Sequence, residues 1–264
     1  MPPANDTTPQ TIGIIGFGAF GQLMARHLRP WFGLRAFDPA WPARCGEGEH
    51  DVVFGELGSV ASCHIVILAM PVDKLGEAIA AIGPHLRPGA LVLDVCSVKV
   101  EPARIMREQL PAHVEIVGTH PLFGPQSARN GIAGLKIAVC PIRGNSAWRV
   151  AAFLRRALGL RVFLTSPQDH DREAAIVQGL THLIAQVLLR MEPLPTRMTT
   201  ASFDMLMRAV DMVRYDAPAL FLAIEKANPY AAAVREEFFR LADELRAALN
   251  NGGSVRALRE TRSV

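Results

Sequence analysis

Short apolar runs recur along the first two thirds of the chain, separated by stretches with helical periodicity. The runs are Thr11–Ile15, Leu34–Phe37, Ile65–Met70, Ala90–Val95, Val114–Val117, Ile137–Cys140 and Leu160–Leu164. The central ones, IVILAM and ALVLDV, are apolar at consecutive positions instead of alternating. That pattern belongs to strands buried on both faces, as in a parallel sheet covered by helices. Between them, Phe20–Leu28 ends before Pro30, Lys74–Ile82 ends at Gly83-Pro84, Pro102–Leu110 stops at Pro111, and Ser146–Leu158 ends at Gly159. Each stop is a helix terminator. Strand and helix alternating at this spacing predict an α/β fold, a doubly wound, mostly parallel sheet of the Rossmann type.

After Leu164 the pattern changes. Ser166 suits a helix N-cap, Pro167 its first turn, and Asp169 places a negative charge near the N-terminus. Apolar residues Ile176, Val177, Leu180, Leu183, Ile184, Val187 and Leu188 then recur at three and four, predicting one long helix to about Met191, broken by Pro193 and Pro195. Met198–Val213, Pro218–Ala227 and Tyr230–Leu249 read as further helices, and no strand pattern is present. The expected organisation is a loose tail over residues 1–10, a dinucleotide-binding domain over 11–165 and an all-helical domain over 166–264. A long apolar helix in so small a domain points to burial against a second copy, a homodimer through the helical domain.

Composition narrows the partners. Half the residues are hydrophobic and a fifth charged, and the net charge is only +3. That balance provides no field for nucleic acid or membrane surfaces, so small molecules are the expected ligands. The polar start of the chain lacks a signal-peptide pattern, and no apolar run is long enough to span a bilayer. Cys45, Cys63, Cys96 and Cys140 form no C-x-x-C pair and have no histidine at zinc spacing. They read as reduced thiols of a cytoplasmic protein with no metal site.

The sharpest motif is Gly16-Phe17-Gly18-Ala19-Phe20-Gly21, between the first strand and the first helix. A G-x-G-x-x-G string in that context is a dinucleotide fingerprint. The first glycine makes the turn, the second lets the backbone approach the pyrophosphate, and the third allows close packing, while the helix N-terminus faces the phosphates. Asp38, 17 residues after Gly21, ends the second strand, where a carboxylate accepts from the adenosine ribose hydroxyls and repels a 2′-phosphate. It favours NAD over NADP; its alternative role is to cap the turn at Pro39, and Arg35 and Arg44 are near enough to serve NADP. Ala69-Met70-Pro71 suits a wall for the nicotinamide ring. Two more strand-end segments, Asp94-Val95-Cys96-Ser97-Val98-Lys99 and Gly118-Thr119-His120-Pro121-Leu122-Phe123-Gly124-Pro125, should meet it at the carboxyl edge of the sheet.

The strings GFGAFG, DVCSVK and THPLFGP, in that order and followed by a helical domain, resemble the prephenate and arogenate dehydrogenases of tyrosine biosynthesis. The resemblance covers nearly the whole chain. It implies oxidative decarboxylation of a cyclohexadienyl substrate: hydride leaves the hydroxyl-bearing carbon for NAD, carbon dioxide departs and the ring becomes aromatic. His120 would accept the hydroxyl proton. Ser97 would bond the same hydroxyl and help orient His120. His182 matches a family histidine near the substrate; the position of a second histidine is Ala185 here. An arginine from the helical domain should hold the dianionic substrate, with Arg208 the first choice and Arg214 the second. Gln126 stands where many relatives carry an acid that could pair with the arogenate ammonium, which favours prephenate. No segment is long enough for a fused mutase or amino-acid-sensing domain, so none is expected. A β-hydroxyacid dehydrogenase shares the two-domain plan but uses a lysine on the interdomain helix, and this chain has none from Ser166 to Glu225. A non-catalytic dinucleotide sensor would need the glycine turn and Asp38 alone.

Overall fold

The computed structural model describes residues 10–40 and 52–250. Arg44, Cys45 and the expected tail, apart from Gln10, lie outside the described residues. Eight strands form one sheet in the order β3-β2-β1-β4-β5-β6-β7-β8. They are β1 (Thr11–Ile15), β2 (Gly33–Phe37), β3 (Val52–Phe54), β4 (Ile65–Leu68), β5 (Leu91–Asp94), β6 (Glu115–Pro121), β7 (Lys136–Arg143) and β8 (Arg161–Leu164). All neighbours are parallel except β6 and β7, which run antiparallel. β1 is followed on one side by β2 and on the other by β4, so the strand order reverses there and opens a crevice at the carboxyl ends.

Helices cover both faces. α1 (Ala19–Leu28) and α5 (Ala147–Arg156) lie on one face, over Ile12, Ile14, Leu93, Val117 and Val139. α2 (Leu57–Ala61), α3 (Val72–Ile82) and α4 (Val100–Gln109) lie on the other, over Ile15, Val66, Leu68, Val92 and Ile116. This two-sided burial is why the central strands carry unbroken apolar runs. Between α1 and α5 a cavity of about 530 Å³ remains, lined by Ile12, Leu23, Met24, Leu91 and Phe153.

Two elements escape the sequence pattern. β3 is three residues long and α2 five, too short for either periodicity to register. β6 also runs further than its apolar stretch. Thr119 and His120 interrupt the hydrophobic pattern, yet both stay in the ladder because β7 pairs with them, His120 lying opposite Ala138. His120 is therefore held on a strand, not on the loop beyond it.

The helical region begins at Ser166, whose hydroxyl accepts the Asp169 N–H (3.1 Å), with Pro167 in the first turn. α6 (Pro167–Ala174) passes through a π-helical stretch, Ala175–Gly179, into α7 (Leu180–Arg190). α8 (Ala201–Val213), capped by Thr200, packs on α7. α9 (Pro218–Leu222) leads into a second π-helical stretch, Ala223–Ala227, which faces the first; α10 (Ala231–Asn250) completes the domain. No helix among the described residues is long and apolar enough to cross a membrane.

Candidate active site

The glycine turn sits at the mouth of the crevice. Gly16 has φ +95°, and a Cβ there would run into the Ala69 carbonyl oxygen, so only glycine lets β1 and β4 part this closely. Gly18 differs: a Cβ on it meets nothing within 4 Å. It begins α1 in extended conformation, and no side chain caps the helix's first N–H groups. A Cβ on Gly21 would strike the Gly16 carbonyl oxygen. A cradle with free backbone donors and space over its second glycine fits a pyrophosphate. Ala69 N–H bonds the Ile15 carbonyl (2.8 Å), and Pro71 caps α3, which places Ala69-Met70-Pro71 beside the turn.

Asp38 is tied to the same turn. Its Oδ2 accepts the Phe17 N–H (2.6 Å) and its Oδ1 the Ala40 N–H (2.8 Å). Each oxygen retains capacity for another donor. Capping and ribose binding are thus compatible roles. Arg35 reaches away to Ser59 Oγ (2.9 Å).

Period-two alternation sorts β6 between the faces. Val117 joins the α1–α5 core, and Thr119 and Pro121 line the cavity there; Ile116, Gly118 and His120 look to the α3–α4 side. On that side lies a buried ion pair, Lys99 with Asp94, whose side chains are 1% and 0% exposed. Lys99 Nζ also donates to the Thr119 carbonyl (2.7 Å). Cys96 N–H donates to Asp94 Oδ2 (3.0 Å), while Asp94 Oδ1 is buried without a partner. Gly118 leaves room for the pair: its Cβ would stand 3.3 Å from Lys99 Cδ. The pair stitches the ends of β5 and β6 together. Burial, reinforced by the Asp94 charge, pushes the Cys96 thiol well above its ordinary range, so it stays protonated.

His120 is 4% exposed. Its Nδ1 lies 2.8 Å from His170 Nε2, and His170 Nδ1 lies 2.7 Å from Asp171 Oδ1. Asp171, fully buried, also accepts the Lys99 N–H (2.7 Å) and the Val100 N–H (2.8 Å), the first donors of α4. Its backbone carbonyl accepts Asn228 Nδ2 (2.8 Å). Burial above all, with the positive charge of Lys99 adding to it, holds the His120 imidazole well below its ordinary 6.5. It is neutral at physiological pH, as a proton acceptor must be.

The other expected residues spread out. Ser97 is half-buried in the β5–α4 segment and makes no hydrogen bond to His120; His170 holds that ring instead. His182 is buried on α7 with Nε2 3.8 Å from Asp216 Oδ2, and burial lowers its pKa. Arg214, just past α8, is held by Glu192 (2.6 Å) and Asp211 (3.0 Å), two residues from Asp216. Arg208 is exposed and six residues back, which turns it to another side of α8. Gln126 is exposed in the turn after β6. His170, Asp171 and the Asp94–Lys99 pair do not stand out as site residues in the sequence. The available signal is an acid-base dipeptide, His170-Asp171, in the first turns of a capped helix.

A dinucleotide cradle at a strand-order switch, a buried neutral histidine nearby on the same sheet edge, and a helical second domain define a two-domain nucleotide-binding protein. Two family models match it: "prephenate dehydrogenase, nucleotide-binding domain" over residues 43–147 and "prephenate dehydrogenase, dimerization domain" over residues 166–261. The chain belongs to the prephenate dehydrogenase family. It is 27% identical over 208 residues to a probable arogenate/prephenate dehydrogenase of Methanocaldococcus jannaschii, covering 74% of this chain and 46% of the relative. It is 28% identical over 286 residues to chloroplastic arogenate dehydrogenase 2 of Arabidopsis thaliana, covering 95% and 76%. The match spans 40% of chloroplastic arogenate dehydrogenase 1 from the same plant, so the chain covers under half of some of its curated relatives. In fold it resembles a prephenate dehydrogenase from A. aeolicus, crystallised with hydroxyphenyl propionate and NAD+, with TM-score 0.74, 19% identity, and coverage of 97% and 94%. The first family model begins downstream of the glycine turn, so the role of that turn rests on its geometry.

Proposed function

We propose that this chain catalyses the oxidative decarboxylation of prephenate to 4-hydroxyphenylpyruvate with NAD. One observation carries the reading above the others: a buried histidine on the sheet edge that holds the dinucleotide cradle, neutral and with one ring nitrogen already engaged by the protein. A sensor needs no such group. A β-hydroxyacid dehydrogenase would place a lysine on the interdomain helix, which has none here.

The cradle residues Gly16 to Gly21 hold the dinucleotide's phosphates, Asp38 its adenosine ribose, and Ala69-Met70-Pro71 flank its nicotinamide. Asp38, with Arg35 engaged at Ser59, supports NAD over NADP. When bound, the cofactor supplies the hydride acceptor. His120 Nε2 takes the substrate's hydroxyl proton, and Ser97 holds the same hydroxyl. Loss of hydride and of the ring carboxylate as carbon dioxide leaves an aromatic phenolate, which takes the proton back from His120 to give the phenol. Arg214 is a better carboxylate anchor than Arg208, because it stands two residues from Asp216, which faces His182, while Arg208 points elsewhere on α8. Neutral Gln126 supports prephenate over arogenate. The division at Ser166 and a homodimer built through the helical domain belong to the same proposal.

The test offers prephenate and arogenate, each with NAD and NADP, and follows reduced cofactor by absorbance. Prephenate with NAD should give the highest kcat/KM. No turnover in all four combinations would sink the enzyme reading. His120→Asn should cut kcat by roughly 100- to 10,000-fold while leaving NAD binding intact; unchanged turnover would remove His120 from the mechanism.

A further inference from the structure

We propose that His170 is a positioning residue: together with Asp171 it forms a buried relay across the domain seam that fixes His120 as its Nδ1–H tautomer and keeps Nε2 bare. The role of His120 as base rests on the function proposed above; its tautomer does not.

With His170 neutral, donors and acceptors fix the proton positions. Asp171 accepts two backbone N–H groups from the start of α4, and the same Oδ1 faces His170 Nδ1 at 2.7 Å. A carboxylate has acceptors only, so the proton in that contact is on His170 Nδ1. A neutral His170 then presents a lone pair at Nε2. That atom lies 2.8 Å from His120 Nδ1, so the proton between the rings belongs to His120 Nδ1. His120, neutral because of its burial, is left with Nε2 unprotonated. Without an acceptor at Nδ1, an imidazole prefers its proton on Nε2, the form that can give a hydrogen bond to a substrate hydroxyl but cannot take its proton.

The relay is costly to bury, and the ring nitrogens that join it are matched. His170 is 6% exposed and Asp171 0%. A histidine filling core space would leave one nitrogen to solvent or to a backbone carbonyl; here both nitrogens of His170 meet side chains, one acidic and one on the candidate base. The remaining charged groups on this side, Lys99 and Asp94, are paired with each other, so neither competes for His120 Nδ1. Asp171 is anchored at both ends: its carboxylate caps α4 and its carbonyl holds Asn228. The helical domain therefore sets the proton position of a residue that belongs to the nucleotide-binding domain.

The experiment uses the full chain labelled with ¹⁵N-histidine, at a pH where His120 is neutral. Long-range ¹H–¹⁵N spectra report each ring's tautomer, with His120 identified by the loss of its signals in His120→Asn. In the wild type, His120 should show a protonated Nδ1 and a bare Nε2. In His170→Phe the proton should move to Nε2, and in His170→Gln, whose amide oxygen can accept the same N–H, it should return to Nδ1. An Nε2–H tautomer in the wild type overturns the proposal, as does an unchanged tautomer in His170→Phe. Should His170→Phe fail to fold, the wild-type spectrum and His170→Gln still decide.

Kinetics with whichever substrate the wild type turns over supply a second arm. His170→Phe should lower kcat by about 100-fold or more, as a wrong tautomer does in other histidine bases, with KM and NAD affinity within about twofold. His170→Gln should restore most of kcat. Equal losses in the two variants would mark His170 as merely structural and overturn the proposal. If no substrate is turned over at all, the function proposed above fails, and the tautomer spectra still test the relay independently.

Discussion

At the scale of single residues, the site is a set of side chains taken out of water and matched one to one. Lys99 and Asp94 illustrate the energetics. Removing one partner of a buried ion pair leaves an uncompensated charge, so Lys99→Met should destabilise the fold by about 3–5 kcal/mol. Urea denaturation measures this, and an unchanged midpoint would mean that water reaches Asp94. The two turn glycines should separate folding from binding. Gly16→Ala places a side chain at φ +95° against Ala69, and should cost roughly 1–3 kcal/mol of strain or more. Gly18→Ala enters open space and should leave the melting temperature alone while weakening NAD binding, which calorimetry would register. His120 also links stability to pH. Its folded pKa is lowered, so below about 6.5 the unfolded chain takes up a proton that the fold refuses. Stability should therefore fall with pH below 6.5, by about 1.4 kcal/mol per unit for this residue until its folded pKa is reached. His182 contributes in the same direction. Urea midpoints at pH 7.5 and 5.5 should differ in the wild type and differ less in His120→Asn.

At the scale of elements, legibility in the sequence follows length and periodicity. The double-sided strands and the capped, proline-stopped helices can be read because burial on both faces, or on one stripe, imposes a pattern over many residues. β3 and α2 cannot, because three and five residues carry no period. β6 shows a different limit. Thr119 and His120 look like a loop because they are polar, but hydrogen bonding to β7 and the enclosed partners of each side chain keep them in the sheet. The glycine turn, Asp38 and His120 are visible as motifs with local spacing. His170 and Asp171 are not, since their significance depends on contacts to residues 50 and about 70 positions away, which no local pattern encodes. The choice between Arg208 and Arg214 is equally closed to sequence, for it depends on which side of α8 faces α7. Arg214→Met should raise the KM for prephenate by roughly 100-fold, about 3 kcal/mol, the value of a charged hydrogen-bonding anchor. Arg208→Met should change KM little; a reversed outcome would return the anchor to Arg208.

At the scale of the whole molecule, the two regions differ in how they meet water. The sheet domain holds its main apolar clusters between the sheet and the helices on its two faces. The helical region leaves Ile176, Val177, Met198, Met205, Met212 and Leu249 exposed, a series of large apolar side chains in water. That is the surface expected of a homodimer, and Met205→Glu with Met212→Glu should yield a monomer by analytical ultracentrifugation. A double variant that still sediments as a dimer would place the interface elsewhere. The helix path that carries this surface also spans the molecule, from Asp171 against α4 to His182 against Asp216, with the wide stretch Ala175–Gly179 between them. That stretch works as a phase adjuster. Removing one residue from it, such as the exposed Val177, would rewind the turn to ordinary pitch, and because a π-helical turn is an α-helical turn carrying one residue more, everything downstream would keep its phase. His182 would still face Asp216 and His170 would keep its partners. A second deletion, with no wide turn left to absorb it, would swing His182 about 100° away from Asp216. The helix thus carries one residue of slack between the two ends of the site.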